Sequence, residues 1–127
     1  MAMPRSEQFS GCLIGQCLGD ALGFPVEGSP PEICRKYVQD TLKGGHAAER
    51  GRVPFPFGQY TDDSQLAREL LQSYAACKRF DPEDYAGRIA AIFQERRVVG
   101  EGMATAEAAS RLAQGVPWEK AGALPPS

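Results

Sequence analysis

Between breaks of glycine and proline, the apolar positions of this chain recur with a helical period. From Phe9 to Leu22 they stand at Phe9, Leu13, Cys17 and Ala21, a four-residue step that places them on one helix face. Gly11, Gly15, Gly19 and Gly23 form a second stripe along the same helix. An interior glycine costs a helix about 1 kcal/mol against alanine. Such a face therefore calls for close approach of another backbone or of a ligand. Ser29-Pro30-Pro31-Glu32 reads as a capping box with proline at the first helical position. It opens a short helix to about Gln39, with Ile33, Tyr37 and Val38 as apolar contacts. Residues 43–60 carry four glycines, two prolines and no helical period, which predicts a long loop of the kind that is usually functional or mobile.

Thr61 is placed to cap the next helix, which runs to about Lys78 with Leu66, Leu70, Tyr74 and Cys77 on one side. Asp81-Pro82-Glu83-Asp84 opens a fourth helix that ends near Val98, with Tyr85, Ile89, Ile92 and Phe93 inward. Residues 99–105 form a glycine-bearing loop. A fifth helix spans Ala106 to Gln114, with Ala108 and Leu112 packed and Gly115 as its stop. Pro117-Trp118-Glu119-Lys120 begins one more turn. No segment alternates like a strand, so the expected class is all-α. The chain ends in Gly-Ala-Leu-Pro-Pro-Ser127, loop-like and without capping logic, and it holds no repeat.

Composition narrows the function classes. Over 127 residues, 14 Lys+Arg stand against 16 Asp+Glu, a net charge of −2. That balance argues against a broad nucleic-acid or membrane-surface footprint. No apolar run approaches the ~18 residues of a membrane span, and the polar start Met-Ala-Met-Pro-Arg-Ser-Glu-Gln lacks a signal core. A cytoplasmic location is expected. Cys12, Cys17, Cys34 and Cys77 match no zinc spacing and read as reduced, small core hydrophobes.

Three segments are candidates for chemistry. In Gly58-Gln-Tyr-Thr61-Asp62-Asp63-Ser64-Gln65 a long loop ends and a helix begins. Three oxygen-bearing side chains at a helix start suit a hard cation such as Mg²⁺ or Mn²⁺. Plain capping and helix-dipole chemistry accounts for the same residues. In Gly19-Asp20-Ala-Leu-Gly-Phe-Pro-Val-Glu27, Asp20 lies among glycines and apolar residues, a costly place for an unpaired charge. Asp20 and Glu27 are both within reach of a cleft edge, and a solvated helix end is the plain alternative. Gly100-Glu-Gly102-Met-Ala-Thr105 precedes a helix and can present backbone N–H groups to phosphate, or serve as a linker with a threonine cap. His46, the one histidine, has no identifiable catalytic partner.

Taken together, Gly11-Cys-Leu-Ile-Gly-Gln-Cys-Leu-Gly-Asp-Ala-Leu-Gly-Phe-Pro-Val-Glu27 and Gly58-Gln-Tyr-Thr-Asp-Asp-Ser-Gln65, about thirty residues apart, resemble the ADP-ribosylglycohydrolase family. The resemblance runs from Phe9 to the end, as the N-terminal portion of such a helical bundle. It implies an all-α fold with a two-metal site (Mg²⁺ or Mn²⁺) in a central cleft. It implies hydrolysis of the glycosidic bond between ADP-ribose and a protein side chain, or of related ADP-ribose linkages. In that picture Thr61, Asp62 and Asp63 bind metal, and Glu27 and Asp62 are catalytic. Gly100, Gly102 and Thr105 meet the ADP-ribose phosphates. Family members are about twice this length or more, with further ligands in an Asp-x-Asp-Thr/Ser motif. No such motif follows Ser64 here. Residues 1–127 therefore read as a single partial domain that is inactive alone. Residues 104–113 and the glycine stripe would then be open to association. The rival expectation is a non-catalytic helical module that binds ADP-ribose or a partner.

Overall fold

In the computed structural model, which describes residues 2–46 and 50–122, the chain divides into two compact units, Met1–Thr61 and Asp62–Ser127. Among the described residues there are helices and turns but no strand, and Arg52 and Phe55 form an isolated antiparallel bridge. The all-α class follows from the sequence period and is the class adopted.

The first unit opens with α1 (Ser6–Gly23). Gln8 Oε1 accepts from the Arg5 N–H at 2.8 Å and closes the first turn. Pro25 has no amide to extend the helical ladder, and the chain tightens into a 3₁₀ turn over Phe24–Val26. α2 (Pro31–Tyr37) continues as a π-helical turn over Val38–Lys43, past the expected end at Gln39. The expected capping box does not form. Pro30, extended at φ −60° and ψ 154°, takes the N-cap position without a side-chain cap. Ser29 thus stands one residue too early, and its carbonyl faces the Cys34 thiol at 3.6 Å.

The core of this unit is small. Ala21, Phe24, Tyr37 and Thr41 are buried. The Tyr37 O–H donates to the Leu22 carbonyl at 2.7 Å, and burial pushes its phenol pKa up. Phe24 meets Phe55 with ring centroids 5.8 Å apart, and the Arg52 guanidinium lies 5.1 Å over the Phe24 ring. A Cβ on Gly51 would collide with the Phe55 carbonyl, so only glycine fits where this loop doubles back. On α1 the apolar stripe is realised unevenly. Ala21 is buried and Leu13 and Cys17 are half-buried, but Phe9 is 57% exposed. Beyond the neighbouring backbone of α1 itself, no atom lies within 4 Å of a Cβ built on Gly11, Gly15, Gly19 or Gly23, so no other close-packed backbone accounts for the stripe among the described residues. The cysteines are not core residues either. Cys12 is exposed and the other three are half-buried.

The second unit contains α3 (Asp62–Cys77), α4 (Pro82–Gln94), α5 (Met103–Ala113) and α6 (Trp118–Ala121), with α4 packed against the other three. Ala90, Ile92, Ala109 and Ala121 are its buried apolar residues. The buried positions of α3 are Ser64, Glu69 and Ser73, not the expected apolar line. Leu66 and Leu70 are half-buried, and Tyr74 is exposed and stacked on Phe80 at 6.1 Å. Charge pairing explains how a carboxylate is tolerated inside. Glu69 lies 4.0 Å from Arg88 and 3.6 Å from Arg68. The Tyr85 O–H, raised in pKa by burial and then by the Glu69 charge, donates to the Leu66 carbonyl at 3.1 Å.

Two helix limits differ from the sequence reading. α4 ends at Gln94 rather than near Val98, because Arg96 turns left-handed at φ 55°. The Arg96 and Arg97 N–H groups then close on the carbonyls of Phe93 and Ile92, at 3.1 Å each. α5 starts at Met103 rather than Ala106, with Gly102 at its N-cap. Thr105 therefore belongs to the helix and not to the loop.

Two stability tests follow. The Asp81 side chain caps α4 by accepting from the Asp84 N–H at 3.0 Å. Asp81→Ala is expected to cost about 1 kcal/mol in thermal unfolding. The Arg88 guanidinium, donating to Asp84 at 2.8 Å, holds the Asp84 carboxyl below its ordinary value. A depressed carboxylate stabilises the fold above its unfolded pKa and loses that contribution as pH falls through the folded one. Asp84→Asn should thus melt below the unaltered chain at about pH 6, and the gap should close below about pH 4.

Candidate functional site

Asp20 occupies the last turn of α1, where the negative end of the helix disfavours a carboxylate. Its compensation comes from 41 residues away. The Thr61 N–H donates to Asp20 Oδ2 at 2.8 Å, and the Thr61 hydroxyl donates to Oδ1 at 2.6 Å. Thr61 is only 3% exposed. A hydroxyl that has given its proton to a carboxylate offers only lone pairs to any other neighbour. Asp20 thus receives Thr61 on both of its oxygens.

Glu27 is used differently. It follows the 3₁₀ turn, its N–H bonds the Phe24 carbonyl at 3.2 Å, and its own carbonyl accepts from Arg52 at 3.3 Å. The backbone is fixed, while the side chain is 63% exposed with Arg52 3.8 Å away. This is a solvent-facing carboxylate on an anchored turn. His46 is exposed.

In the second unit α3 begins at Asp62, so Asp62 and Asp63 fall in its first turn, where the positive helix end favours carboxylates. The Asp62 N–H donates to the Val99 carbonyl at 2.8 Å. Gln65, one turn on, grips the same segment with both ends of its amide. Its Nε2 donates to the Arg97 carbonyl at 2.7 Å, and its Oε1 accepts from the Val99 N–H at 2.9 Å. The left-handed Arg96 aims residues 97–99 at this helix start. Gly100 follows at φ 70°, a conformation that favours glycine. The glycine segment Gly100–Gly102 is therefore tethered beside the start of α3. No side chain caps α5, whose first N–H groups come from Met103, Ala104 and Thr105.

The sequence-predicted residues thus fall into two groups. Thr61 and Glu27 belong to the first unit, with Asp20. Asp62, Asp63, Gly100, Gly102 and Thr105 belong to the second, drawn together by Val99 and Gln65. Thr61, Asp62 and Asp63 are consecutive and supply a hydroxyl and two carboxylates, a hard-oxygen set that fits Mg²⁺ or Mn²⁺. Among the described residues no three or more His, Cys, Asp or Glu gather as a complete metal cage. Magnesium ordinarily takes one or two carboxylates and fills its other positions with water and substrate oxygens, so the partial set fits its habit. Gln65 and Arg52, and the bonding of Asp20 to Thr61, were not foreseen. Their partners lie 25 to 41 residues away, beyond any local pattern.

The ADP-ribosylglycohydrolase family model matches residues 1–125. An uncharacterised protein of Archaeoglobus fulgidus is 34% identical over 121 residues, 91% of this chain and 37% of that protein. The ADP-ribosylhydrolase ARH3 of Gallus gallus is 32% identical, over 86% of this chain and 31% of its own length. The ADP-ribosylarginine hydrolase Tri1 of Pseudomonas putida is 30% identical, over 89% of this chain and 30% of its own length. The chain spans about a third of the length of these relatives. No solved structure matches it.

Gln65 gives the site its direct test. Gln65→Ala removes both amide bonds to residues 97–99, a loss of about 1–3 kcal/mol at roughly 1 kcal/mol per bond. Amide exchange at Val99 and Asp62 should accelerate while the amides of α4 keep their protection. Unchanged exchange at Val99 would show that the tether is made elsewhere.

Proposed function

The chain belongs to the ADP-ribosylglycohydrolase family, and we propose that it serves metal-dependent hydrolysis of the glycosidic bond between ADP-ribose and a modified protein side chain or related conjugate. The observation that carries this reading is the Asp62 N–H bond to the Val99 carbonyl, reinforced by Gln65. It sets a pair of carboxylates beside a glycine segment that leads into an uncapped helix start. A sugar diphosphate asks for that combination: oxygen ligands where the ribose reacts, and backbone N–H groups where the phosphates lie.

In this reading Thr61, Asp62 and Asp63 hold Mg²⁺ or Mn²⁺. Such an ion would supply Lewis-acid polarisation of ribose hydroxyls and of water. The chain's own residues do the rest. Gly100 and Gly102 allow the phosphates close to the backbone, and the first N–H groups of α5, Thr105 among them, receive them. Asp62 stabilises the oxocarbenium-like charge that develops on the ribose, and Glu27, an exposed carboxylate of the first unit, is the second acid that this reading assigns to catalysis. The Arg52 guanidinium lies 3.8 Å from that carboxylate and draws it along its own turn. The four thiols, unpaired among the described residues, suit a reducing cytoplasm.

One hydroxyl and two carboxylates would leave the remaining positions of such an ion to water, substrate or further protein ligands. The chain alone should therefore bind metal and ADP-ribose weakly and turn over little. The test is amide chemical-shift mapping of the 127-residue chain. Mg²⁺ should move Thr61–Asp63, and ADP-ribose should move Gly100–Thr105. Asp62→Asn and Asp63→Asn should each weaken the Mg²⁺ response at least about tenfold, the loss of one charged ligand. Silence of both segments toward both probes would refute the functional reading. Brisk Mg²⁺-dependent release of ADP-ribose by this chain would refute the half-site alone.

A further inference from the structure

We propose that Asp20 is the positioning residue of the candidate metal site, acting through Thr61 and not as a ligand. The inference rests on the metal reading above and adds a residue to it. Asp20 has two carboxylate oxygens, and Thr61 engages one with its N–H and the other with its hydroxyl, at 2.8 and 2.6 Å. The two bonds fix different things. The N–H bond fixes the backbone one residue before Asp62. The hydroxyl bond fixes the Thr61 side-chain rotamer and, more consequentially, the direction of its proton.

A threonine hydroxyl binds a cation only through oxygen lone pairs, so its proton must point elsewhere. Left alone it would sample several orientations, among them one that presents the proton to the cation. A carboxylate that accepts the proton at 2.6 Å removes that orientation in advance. The burial of Thr61, 3% exposed, keeps water from competing for the same proton. The siting of Asp20 sharpens the case. It stands in the last turn of α1, against the helix dipole. A helix that needed only a polar end there would be better served by a neutral or basic residue. The carboxylate earns its place by receiving two donors from a residue 41 positions away.

Asp20→Asn is nearly isosteric and reverses half of the arrangement. An asparagine offers one acceptor and one NH₂ donor. Set toward the Thr61 oxygen, the NH₂ consumes the lone pair meant for the ion. Set the other way, it opposes the Thr61 N–H. Mn²⁺ alone is titrated into the 127-residue chain and followed by the electron paramagnetic resonance of the free ion. The chains compared are the unaltered one, Asp20→Asn, Thr61→Val and the double variant, with Asp62→Asn as the control for the metal site itself. Asp20→Asn should weaken Mn²⁺ binding at least about tenfold, and less than about twofold once Thr61→Val has removed the hydroxyl.

Equal loss in both backgrounds would overturn the proposal, since Asp20 would then act by its charge or as a ligand, while the metal reading stood. No Mn²⁺ uptake by the unaltered chain, or uptake unaffected by Asp62→Asn, would overturn the metal reading and the proposal with it. A readout free of metal covers the case in which Thr61→Val does not fold. Three-bond couplings should report one Thr61 χ1 rotamer in the unaltered chain and an average in Asp20→Asn. A single unchanged rotamer in both would equally overturn the positioning role.

Discussion

The two hydrogen bonds from Thr61 to Asp20 solve one problem with another. A carboxylate among glycines at the end of α1 is costly unless something donates to it. A threonine held almost out of solvent needs a destination for its hydroxyl proton. Each group is an answer to the other across 41 residues of chain. The next residue in the chain is Asp62, so the pairing fixes the last backbone position before the paired carboxylates. The connection that must close to make it includes the long loop, but loop closure grows only slowly in cost with length. Loop length is thus a weak objection to building a site from such distant residues.

The second unit shows the same preference for backbone partners. Gln65 spends both ends of its amide on residues 97–99, and Asp62 adds its own N–H to Val99. The start of α3 is held to residues 97–99 by bonds to the main chain and not by apolar packing. The buried line of α3 agrees with this, since Ser64, Glu69 and Ser73 point inward where an ordinary amphipathic helix would carry leucines. Glu69 remains inside because Arg88 and Arg68 stand beside it. The Ser73 oxygen is buried with no hydrogen-bond partner among the described residues. A helix with a polar inner face draws little stability from burial, and most of its fixing must come from its ends and its charge pairs.

This explains which parts of the molecule were legible from sequence. The helices of the second half announced themselves by period and by Asp81, whose cap forms as read. The start of α3 was legible because loop chemistry gives way to helix chemistry at Thr61. The inward face of α3 was not, because a hydrophobic period marks the apolar side whether or not that side is buried. Ser29 misled because a capping box is a pattern of spacing, and Pro30 displaced the helix start by one residue. The end of α4 escaped because a left-handed arginine carries no local signal, unlike the glycine that stops α5. In the site, the oxygen-bearing types were plain from their motif. Their partners were not, since Asp20, Gln65 and Arg52 act across 25 to 41 residues and no local pattern encodes that.

Charge gives a reason for threonine at position 61 where a third acid would bind a cation more strongly. Asp62 and Asp63 already carry two negative charges into the first turn of α3. A third carboxylate in direct reach would raise the repulsion among them whenever no cation is present, and like charges at close range shift titration upward. Thr61 brings an oxygen without a charge. Asp20, bonded to its N–H and hydroxyl, lends polarisation to that oxygen while its own charge is shared by two donors. In the proposed metal site this would keep the acid one residue removed from the ion, and the ligand set would be compatible with an empty site as well as a filled one. For an ion that exchanges water and substrate oxygens, tolerance of both states matters more than tightness.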